Sequence, residues 1–362
     1  MKVLTVVGAR PQFVKASAVS RPLRERHEEV LVHTGQHYDE ALSGVFFDEL
    51  DVPEPEYNLG VGSDAHGAQT AAMIRALEPV VGEEDPDVVL TYGDTNSTLA
   101  AAVVASKLPL ALAHVEAGLR SYRDQMPEET NRVLTDHASD LLFVPSESAR
   151  ENLAAEGVTD GVHVTGDVMY DALLAVRDRL SGPADVLTDA SIDAGEYVLA
   201  TVHRARNTDS PERLEGVLDG LDGAPLPVVA PLHPRTLESL DEYGLRSHAE
   251  EVLTIVEPQG YIDFLGLLDG AAAVATDSGG VQKEACFLGT PCVTLREETE
   301  WVETVEAGWN TLVGGDPDAI VAALDAPVAP AARADLYGNG EAAERIVELL
   351  STIQTVDEPT PV

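Results

Sequence analysis

Three carboxylates follow apolar runs or helix-start signals in the first half of this sequence. Asp94 ends the run VVLTYGD, Glu116 follows LPLALAHV, and Glu128 follows Pro127 in MPEETNR. The end of a buried strand is an unfavourable place for a charge that has neither a partner nor a task. Because consecutive strands would bring these acids to one edge of a sheet, they predict acid–base chemistry. Taken singly, Asp94 could instead cap the following helix, and Glu128 could be an ordinary first-turn acid.

A glycine-rich segment, TDSGGVQKEA, indicates a diphosphate site in the second half. Ser278, Gly279 and Gly280 follow an apolar run and open a predicted helix, where backbone N–H groups and the helix dipole favour an anion. Glu284, one turn further, could accept hydrogen bonds from ribose hydroxyls. The alternative is a Ser or Asp helix cap with Glu284 on a solvated face.

The opening segment VVGARPQFVK predicts a second anion site. Gly8 permits a tight turn after the first strand, and Pro11 suits the first turn of a helix. Arg10 projects from that loop and Lys15 follows about one helical turn later. The glycine pattern of a dinucleotide fingerprint is absent, and the alternative is a solvated turn with two surface cations.

Histidine and arginine follow two strands of the second half. His203 comes after YVLATV and precedes Arg204 and Arg206, while PLHPRT places His233 and Arg235 after the next strand. Either cluster could stabilise a departing phosphate, because arginine makes bidentate phosphate contacts and histidine can donate a hydrogen bond. No histidine or cysteine spacing supports a metal site.

The composition is strongly acidic, with 63 acidic against 23 basic residues and a net charge of −40. This balance argues against nucleic acid or an anionic membrane as a partner. It favours a halophilic protein, because molar salt would screen the repulsion among its acidic residues, and the alternative is an ordinary acidic enzyme. A melting temperature that does not rise with potassium chloride would contradict the halophilic hypothesis. No apolar run is long enough to cross a bilayer. MKVLTVVGAR is typical of a first strand rather than a signal peptide, and Cys286 and Cys292 form no redox or metal motif. We therefore expect a cytoplasmic protein.

Short β-rich runs alternate with amphipathic segments along the whole 362 residues, which predicts a parallel α/β architecture. The predicted strands are Lys2–Val7, Glu29–Thr34, Asp87–Tyr92, Leu110–Val115, Leu141–Val144, Val162–Thr165, Tyr197–Val202, Val228–Pro231, Val252–Val256, Ala272–Thr276 and Cys292–Leu295. We expect two Rossmann-like, doubly wound domains that face each other across a cleft. The first comprises residues 1–167 with a C-terminal helix at about 341–362, and the second comprises residues 168–340.

Five motifs, in order, resemble those of the non-hydrolysing UDP-N-acetylglucosamine 2-epimerases. They are GARP with Lys15, GDTNS, HVEAGLR, PEETNR and TDSGGVQKEA. The resemblance implies a glycosyltransferase-B-like fold, a homodimer, and interconversion of UDP-GlcNAc and UDP-ManNAc without an organic cofactor. In that reaction UDP is eliminated to leave a glycal, and it adds back after a proton returns on the opposite face.

The resemblance also implies a role for each matching residue. The acid–base candidates are Asp94, Glu116 and Glu128, and His203 acts beside the phosphate. The diphosphate is held by Arg10, Ser278, Gly279 and Gly280, and the ribose by Glu284. Near the active site lie Lys15 and Arg132, and Phe264 lies near the uracil. Gln36 and His37 fit part of the site at which some bacterial members bind UDP-GlcNAc as an activator. A sugar contact or a capped loop is the alternative for that pair.

Two segments depart from the bacterial pattern. LREETEWVE has Trp301 and Val302 where many members carry Arg-Pro, and TVHRARN differs from the usual GHRRE-type sequence. Both resemble the branch that acts on UDP-linked aminouronic sugars such as diacetamido-glucuronate. The substrate is therefore UDP-GlcNAc or such a uronate. A glycosyltransferase of the same fold and an inactive UDP-sugar sensor are the rival interpretations.

Overall fold

The computed structural model describes residues 1–36, 50, 52–123, 126–177, 179–180, 187, 192–330 and 336–353. The chain forms two compact units. The first unit comprises Met1–Ala175 with Tyr337–Val362, and the second comprises Val176–Leu336. Among the described residues, no helix has both the length and the apolar character needed to span a membrane.

The described strands and helices alternate along both units. The strands are β1 (Lys2–Val7), β2 (Glu28–His33), β3 (Tyr57–Asn58), β4 (Val88–Tyr92), β5 (Ala111–Val115), β6 (Leu141–Val144), β7 (Val162–Val164), β8 (Val198–Thr201), β9 (Val228–Pro231), β10 (Leu253–Val256), β11 (Ala273–Thr276), β12 (Cys292–Thr294) and β13 (Asn310–Leu312). The helices are α1 (Arg10–Arg26), α2 (His66–Glu84), α3 (Asn96–Ala105), α4 (Pro127–Ala138), α5 (Glu147–Ala155), α6 (Val168–Arg177), α7 (Ala205–Thr208), α8 (Pro211–Asp222), α9 (Pro234–Glu242), α10 (Arg246–Val252), α11 (Tyr261–Asp269), α12 (Gly279–Leu288), α13 (Val302–Glu306), α14 (Pro317–Asp325) and α15 (Ala342–Leu350).

Each unit contains one parallel sheet. The strand order is β3-β2-β1-β4-β5-β6-β7 in the first unit and β10-β9-β8-β11-β12-β13 in the second. Near-continuous apolar strands such as KVLTVV suit this arrangement, because helices cover both faces of a parallel sheet. The expected α/β fold class is confirmed. The predicted strands are present with ends shifted by at most one residue, whereas the short strands β3 and β13 were not predicted.

The last described helix packs on the first unit. The side chains of Ala342, Ala343, Ile346, Val347 and Leu350 are buried, which is the spacing of one helix face, and α15 contacts α1. α6 begins in the first unit, and its last residues belong to the second.

The strand order reverses once in each sheet, between β1 and β4 in the first unit and between β8 and β11 in the second. Parallel sheets of this kind bind ligands outside the carboxyl ends of the strands at such a switch point. The loops that follow these four strands are therefore the places to look for a site. They begin at Gly8, Gly93, Val202 and Asp277.

Candidate active site

A buried ion pair lies at the switch point of the first unit. Lys15, from α1, contacts Oε2 of Glu116, the residue that directly follows β5, and 9% and 8% of these side chains are exposed. Gly93 follows β4 with a left-handed backbone (φ 61°), and a Cβ built there would lie 3.1 Å from the Lys15 amine. Glycine at this position therefore leaves room for the pair. Lys15 is not the surface cation of the alternative interpretation.

A second ion pair joins Asp94 to α4. Arg132 is buried and contacts the Asp94 carboxylate, which is 29% exposed, and it also lies 3.2 Å from Oε2 of Glu129. Asn131 donates a hydrogen bond to the backbone oxygen of Asp94 (2.9 Å). The interpretation of Asp94 as a helix cap is wrong, because the side chain of Thr95 caps α3 instead. Side chains of α4 thus fix the position of the Asp94 carboxylate.

Glu128 lies in the first turn of α4, partly exposed and four residues before Arg132. This spacing puts the two side chains on one face of the helix. The adjacent Glu129 is buried and accepts hydrogen bonds from the backbone N–H groups of Ser121 and Tyr122, both at 2.9 Å. Glu129 therefore holds Ser121 and Tyr122 beside α4. No ion pair involves Glu128 within the part of the chain that the structure describes.

Gln12 and Gln36 organise the remaining loops of this switch point. Oε1 of Gln12 accepts from the N–H groups of Gly8 (2.8 Å) and Ala9 (3.0 Å), so an anion at this loop would depend on the exposed Arg10 rather than on those two groups. Gln36 accepts from the backbone N–H (3.1 Å) and hydroxyl (2.7 Å) of Ser97 and so caps α3. His37 lies outside the described residues.

At the switch point of the second unit, α12 begins immediately after β11. Ser278 occupies the N-cap position but makes no side-chain capping bond, and Ser278, Gly279 and Gly280 are all partly exposed. A Cβ built at Gly279 would lie 3.4 Å from the indole nitrogen of Trp301 and 3.6 Å from the guanidinium of Arg204. Two N–H donors therefore flank a helix N-terminus that lacks a side-chain cap, an arrangement suited to an anion.

Asp277 connects the two loops of this switch point. It is fully buried and accepts hydrogen bonds from the N–H groups of His203 (3.1 Å) and Arg204 (3.0 Å) and from the Asn207 amide (3.0 Å). The imidazole Nδ1 of His203 lies 3.3 Å from Asp277 Oδ1, and 43% of the His203 side chain is exposed. Asp277 therefore positions His203. Sequence reasoning missed this role, although an acid directly after an apolar run was its signal.

The second histidine–arginine cluster has partners within the protein. His233 caps α9 by accepting from the Arg235 N–H (3.2 Å), and the Arg235 guanidinium pairs with Asp209 at 2.7 Å. Arg206 similarly pairs with Glu297 at 2.9 Å. These contacts account for the cluster and for Arg206 without a ligand.

A buried acid lies near Arg204. Burial alone would raise the pKa of Glu300, but Arg296, at 3.0 and 3.1 Å, and the charge of Arg204 outweigh it and bring that pKa to about 2. Glu300 is therefore a permanent anion beside the proposed diphosphate site. It offsets part of the positive charge there.

The side chains that the sequence assigns to the nucleoside also lie on helices of the second unit. Glu284 is 5% exposed, which excludes the interpretation of a solvated face. Its neighbour Lys283 is buried, with its amine 3.9 Å from the centre of the Trp301 ring. Neither TDSGGVQKEA nor LREETEWVE predicted this contact. Phe264 is partly exposed in the first turn of α11. Within the described ranges, no three His, Cys, Asp or Glu side chains are grouped to hold a metal ion.

The two parallel sheets and the polar loops at their switch points define a glycosyltransferase-B-like α/β protein. Residues 21–351 match the family described as UDP-N-acetylglucosamine 2-epimerase, and the chain belongs to that family.

The chain is 46% identical to the UDP-2,3-diacetamido-2,3-dideoxy-D-glucuronate 2-epimerase of Pseudomonas aeruginosa, over 98% of this chain and 100% of that protein. It is 47% identical to a UDP-N-acetylglucosamine 2-epimerase homolog of Methanococcus maripaludis, over 98% and 100% of the two chains. The crystal structure of Methanocaldococcus jannaschii UDP-GlcNAc 2-epimerase in complex with UDP-GlcNAc and UDP is similar with a TM-score of 0.90 and 42% identity, over 97% and 99% of the chains.

Proposed function

We propose that this protein interconverts UDP-GlcNAc and UDP-ManNAc, supplying an amino sugar for a polysaccharide or glycan. The observation that carries the proposal is the pair of carboxylates at the switch point of the first unit. Glu116 and Asp94 follow adjacent strands, and each has a cation beside it, Lys15 and Arg132 respectively. Such pairing compensates charges that would be costly to bury alone.

The chemistry explains why several acids are needed. The hydrogen on the second sugar carbon is not adjacent to a carbonyl, so a base alone cannot remove it. The bond from the first carbon to UDP breaks first, and its electron pair leaves with the phosphate. A carboxylate then takes the proton from the second carbon, and the C–H electron pair forms the double bond of the glycal. Return of a proton on the opposite face, followed by attack of UDP on the first carbon, completes the inversion. Groups on both faces are required, and Asp94, Glu116 and Glu128 are the candidates.

In this proposal the second unit holds the UDP. The N-terminus of α12 and the guanidinium of Arg204 would stabilise the diphosphate as it gains charge on leaving, with His203 as a further donor. Glu284 would accept hydrogen bonds from the ribose, and Phe264 would contact the uracil. The family relatives crystallised with UDP-GlcNAc and UDP support a UDP-sugar as the ligand.

A UDP-linked aminouronic sugar is the second candidate substrate. The 46% identity to the Pseudomonas aeruginosa diacetamido-glucuronate epimerase supports it, as does the resemblance of the segment around Trp301 to that branch. The structure gives Trp301 a defined place, with its indole nitrogen beside Gly279 and its ring under the Lys283 amine. This residue borders the proposed nucleotide site.

Deuterium incorporation tests the proposal. Each UDP-sugar is incubated alone with the protein in deuterium oxide, in molar potassium chloride, and followed by proton NMR. Exchange at the second sugar carbon of UDP-GlcNAc, with formation of UDP-ManNAc, is expected. Exchange with the uronate alone would assign the second candidate, and no exchange with either would reject 2-epimerisation. Release of free ManNAc would instead indicate a hydrolysing enzyme.

We further propose a homodimer, as the family resemblance implies. Light scattering at molar salt should give twice the mass of the 38.4 kDa chain. A monomeric mass across the working concentration range would contradict it.

A further inference from the structure

A fully buried histidine of the first unit makes hydrogen bonds at both ring nitrogens. His114 lies in β5 with no solvent exposure. Its Nδ1 is 2.7 Å from Oδ1 of Asp136, and its Nε2 is 2.7 Å from the backbone oxygen of Gly93. The reaction proposed above gives this residue no role.

The partners of the ring determine where its protons lie. The Gly93 oxygen is a carbonyl and can only accept, so Nε2 must carry a hydrogen. On the other side, Asp136 already accepts at Oδ2 from the Gly118 N–H (3.1 Å) and from Arg120 (2.6 Å). The Arg120 guanidinium is permanently charged, so its hydrogen bond to Oδ2 favours the ionised form of Asp136. An ionised carboxylate can only accept, so Nδ1 must carry a hydrogen as well.

The surrounding charges balance a positive ring. Arg120 also pairs with Glu156 at 2.6 Å, so that charge alternates along His114, Asp136, Arg120 and Glu156. His137 lies at the solvent end, 3.0 Å from Glu156. His114 and Arg120 then carry two positive charges, and Asp136 and Glu156 carry two negative charges. These four side chains are neutral together, which offsets much of the desolvation free energy of burying them.

The same network holds the turns that carry the proposed acids. The Gly93 carbonyl belongs to the peptide bond that leads into Asp94, and the Gly118 N–H lies two residues after Glu116. Both glycines and Glu116 have left-handed backbone angles, with φ of 61°, 80° and 69°. Such turns need outside contacts to hold them in one conformation.

We propose that His114 is a buried imidazolium that acts as a positioning residue for Asp94 and Glu116. It donates to the Gly93 carbonyl directly, and it orders the Gly118 turn through Asp136. This proposal rests on the proposed function only for its kinetic consequence. The charge of the ring is a separate statement and can be measured without any substrate.

Nitrogen-15 NMR of the full-length protein tests the charge. With labelled histidine at pH 7.5, both ring nitrogens of His114 should show the chemical shifts of protonated nitrogen, and the signals should be missing from the His114→Asn spectrum. A ring with one unprotonated nitrogen would overturn the proposal. This result does not depend on whether the protein epimerises any sugar.

Exchange kinetics test the positioning role. Asparagine can donate to one of the two acceptors but cannot bridge both, so His114→Asn should lower kcat for exchange roughly tenfold to a hundredfold. KM and the Kd for UDP should change less than about threefold, because the UDP site is assigned to other residues. His137→Asn is the matched control, since it contacts Glu156 but neither turn, and it should keep kcat within about twofold. If His114→Asn fails to fold, His114→Gln takes its place. A variant that folds and keeps the wild-type kcat would overturn the positioning role.

Discussion

The two switch points have the same topology and opposite contents. In the first unit, the loop after β4 and the neighbouring loop after β5 present carboxylates, each contacted by a buried cation, Asp94 with Arg132 and Glu116 with Lys15. In the second unit, the loops after β8 and β11 present a histidine and a helix start rich in glycine. The strand order places the loops in both cases. In the proposed function, the residues that follow each strand determine whether the site moves protons or binds an anion.

The backbone donors are also used differently. In the first unit, Gln12 occupies the N–H groups of Gly8 and Ala9 that precede α1. In the second unit, the side chain of Ser278 makes no capping bond to α12, and Asp277 binds the loop after β8 instead. The helix start of the second unit thus lacks a side-chain cap, whereas the first unit uses its own side chains to close the loop. This difference supports assigning chemistry to one unit and nucleotide binding to the other.

The largest effects are expected from removing the acids of the first unit. Asp94→Asn, Glu116→Gln and Glu128→Gln should each lower the rate of deuterium exchange roughly a hundredfold or more, since each removes a proton-transfer group. The Kd for UDP, measured by calorimetry, should stay within about threefold of wild type. Differences among the three pH–rate profiles would show which group takes the proton and which returns it.

A matched control is Glu147→Gln. Glu147 is also a first-turn acid of a helix in the first unit, but it is exposed and pairs with Arg150 at 2.5 Å. It should keep the wild-type rate. Near-normal exchange in all three site variants would contradict the acid–base assignment and remove the contrast between the two switch points.

An intermediate effect is expected from filling the helix start of the second unit. In Gly279→Ala, the new methyl would make ordinary contacts with Trp301 and Arg204, so folding should be unaffected. The methyl would occupy space that a diphosphate needs, and UDP affinity should fall about tenfold, or about 1.4 kcal/mol. Gly82→Ala, in open space within α2, is the control and should bind UDP normally. Unchanged UDP affinity in Gly279→Ala would contradict the assignment of the diphosphate to α12.

The smallest effect concerns a partly buried acid of the first unit that lies outside its switch point. Burial raises the pKa of Asp171 to about 6, although the Ala343 N–H donates to it at 2.7 Å, and no ion pair involves it among the described residues. In the unfolded chain its pKa returns to about 3.8. The folded state therefore binds the extra proton between these values, and stability falls as pH rises from about 4 to 6. Above pH 6 the loss is complete.

Asp171→Asn should remove this loss. At pH 7.5 and fixed salt, urea unfolding should show the variant about 1 kcal/mol more stable than wild type, a value reduced for solvent screening, and the gap should narrow toward pH 4. Asp160→Asn, at an exposed acid of the same unit, should show no such trend. A variant less stable than wild type at pH 7.5 would contradict this prediction. It would show that the protein tolerates a partly buried carboxylate without a neighbouring cation, unlike Asp94 and Glu116.

Much of this architecture could be predicted from the sequence, because parallel strands are continuous apolar runs and end at polar residues. The strand ends located Asp94, Glu116, His203 and Ser278 at carboxyl edges. The short strand β13 escaped prediction because its three residues, NTL, are too few to carry a periodic signal.

The partners of the site residues could not be predicted in the same way. Asp136 lies 22 residues after His114, and Asp277 lies 74 residues after His203. Such contacts depend on which strands become neighbours, which local patterns do not encode. The sequence also left open whether Lys15 would be a surface cation, and only the buried contact with Glu116 determines that it is not.

The backbone of Glu116 limits how this protein could be engineered for heat resistance. A left-handed conformation costs a residue other than glycine about 1 kcal/mol or more, and glycine, asparagine or aspartate would tolerate it better. None of these offers a carboxylate at the reach of glutamate, so a library selected only for thermal tolerance would be drawn to replacements that cannot make the contact with Lys15. Position 116 should be held constant in any such selection, and the gains should be sought in loops that carry no acid.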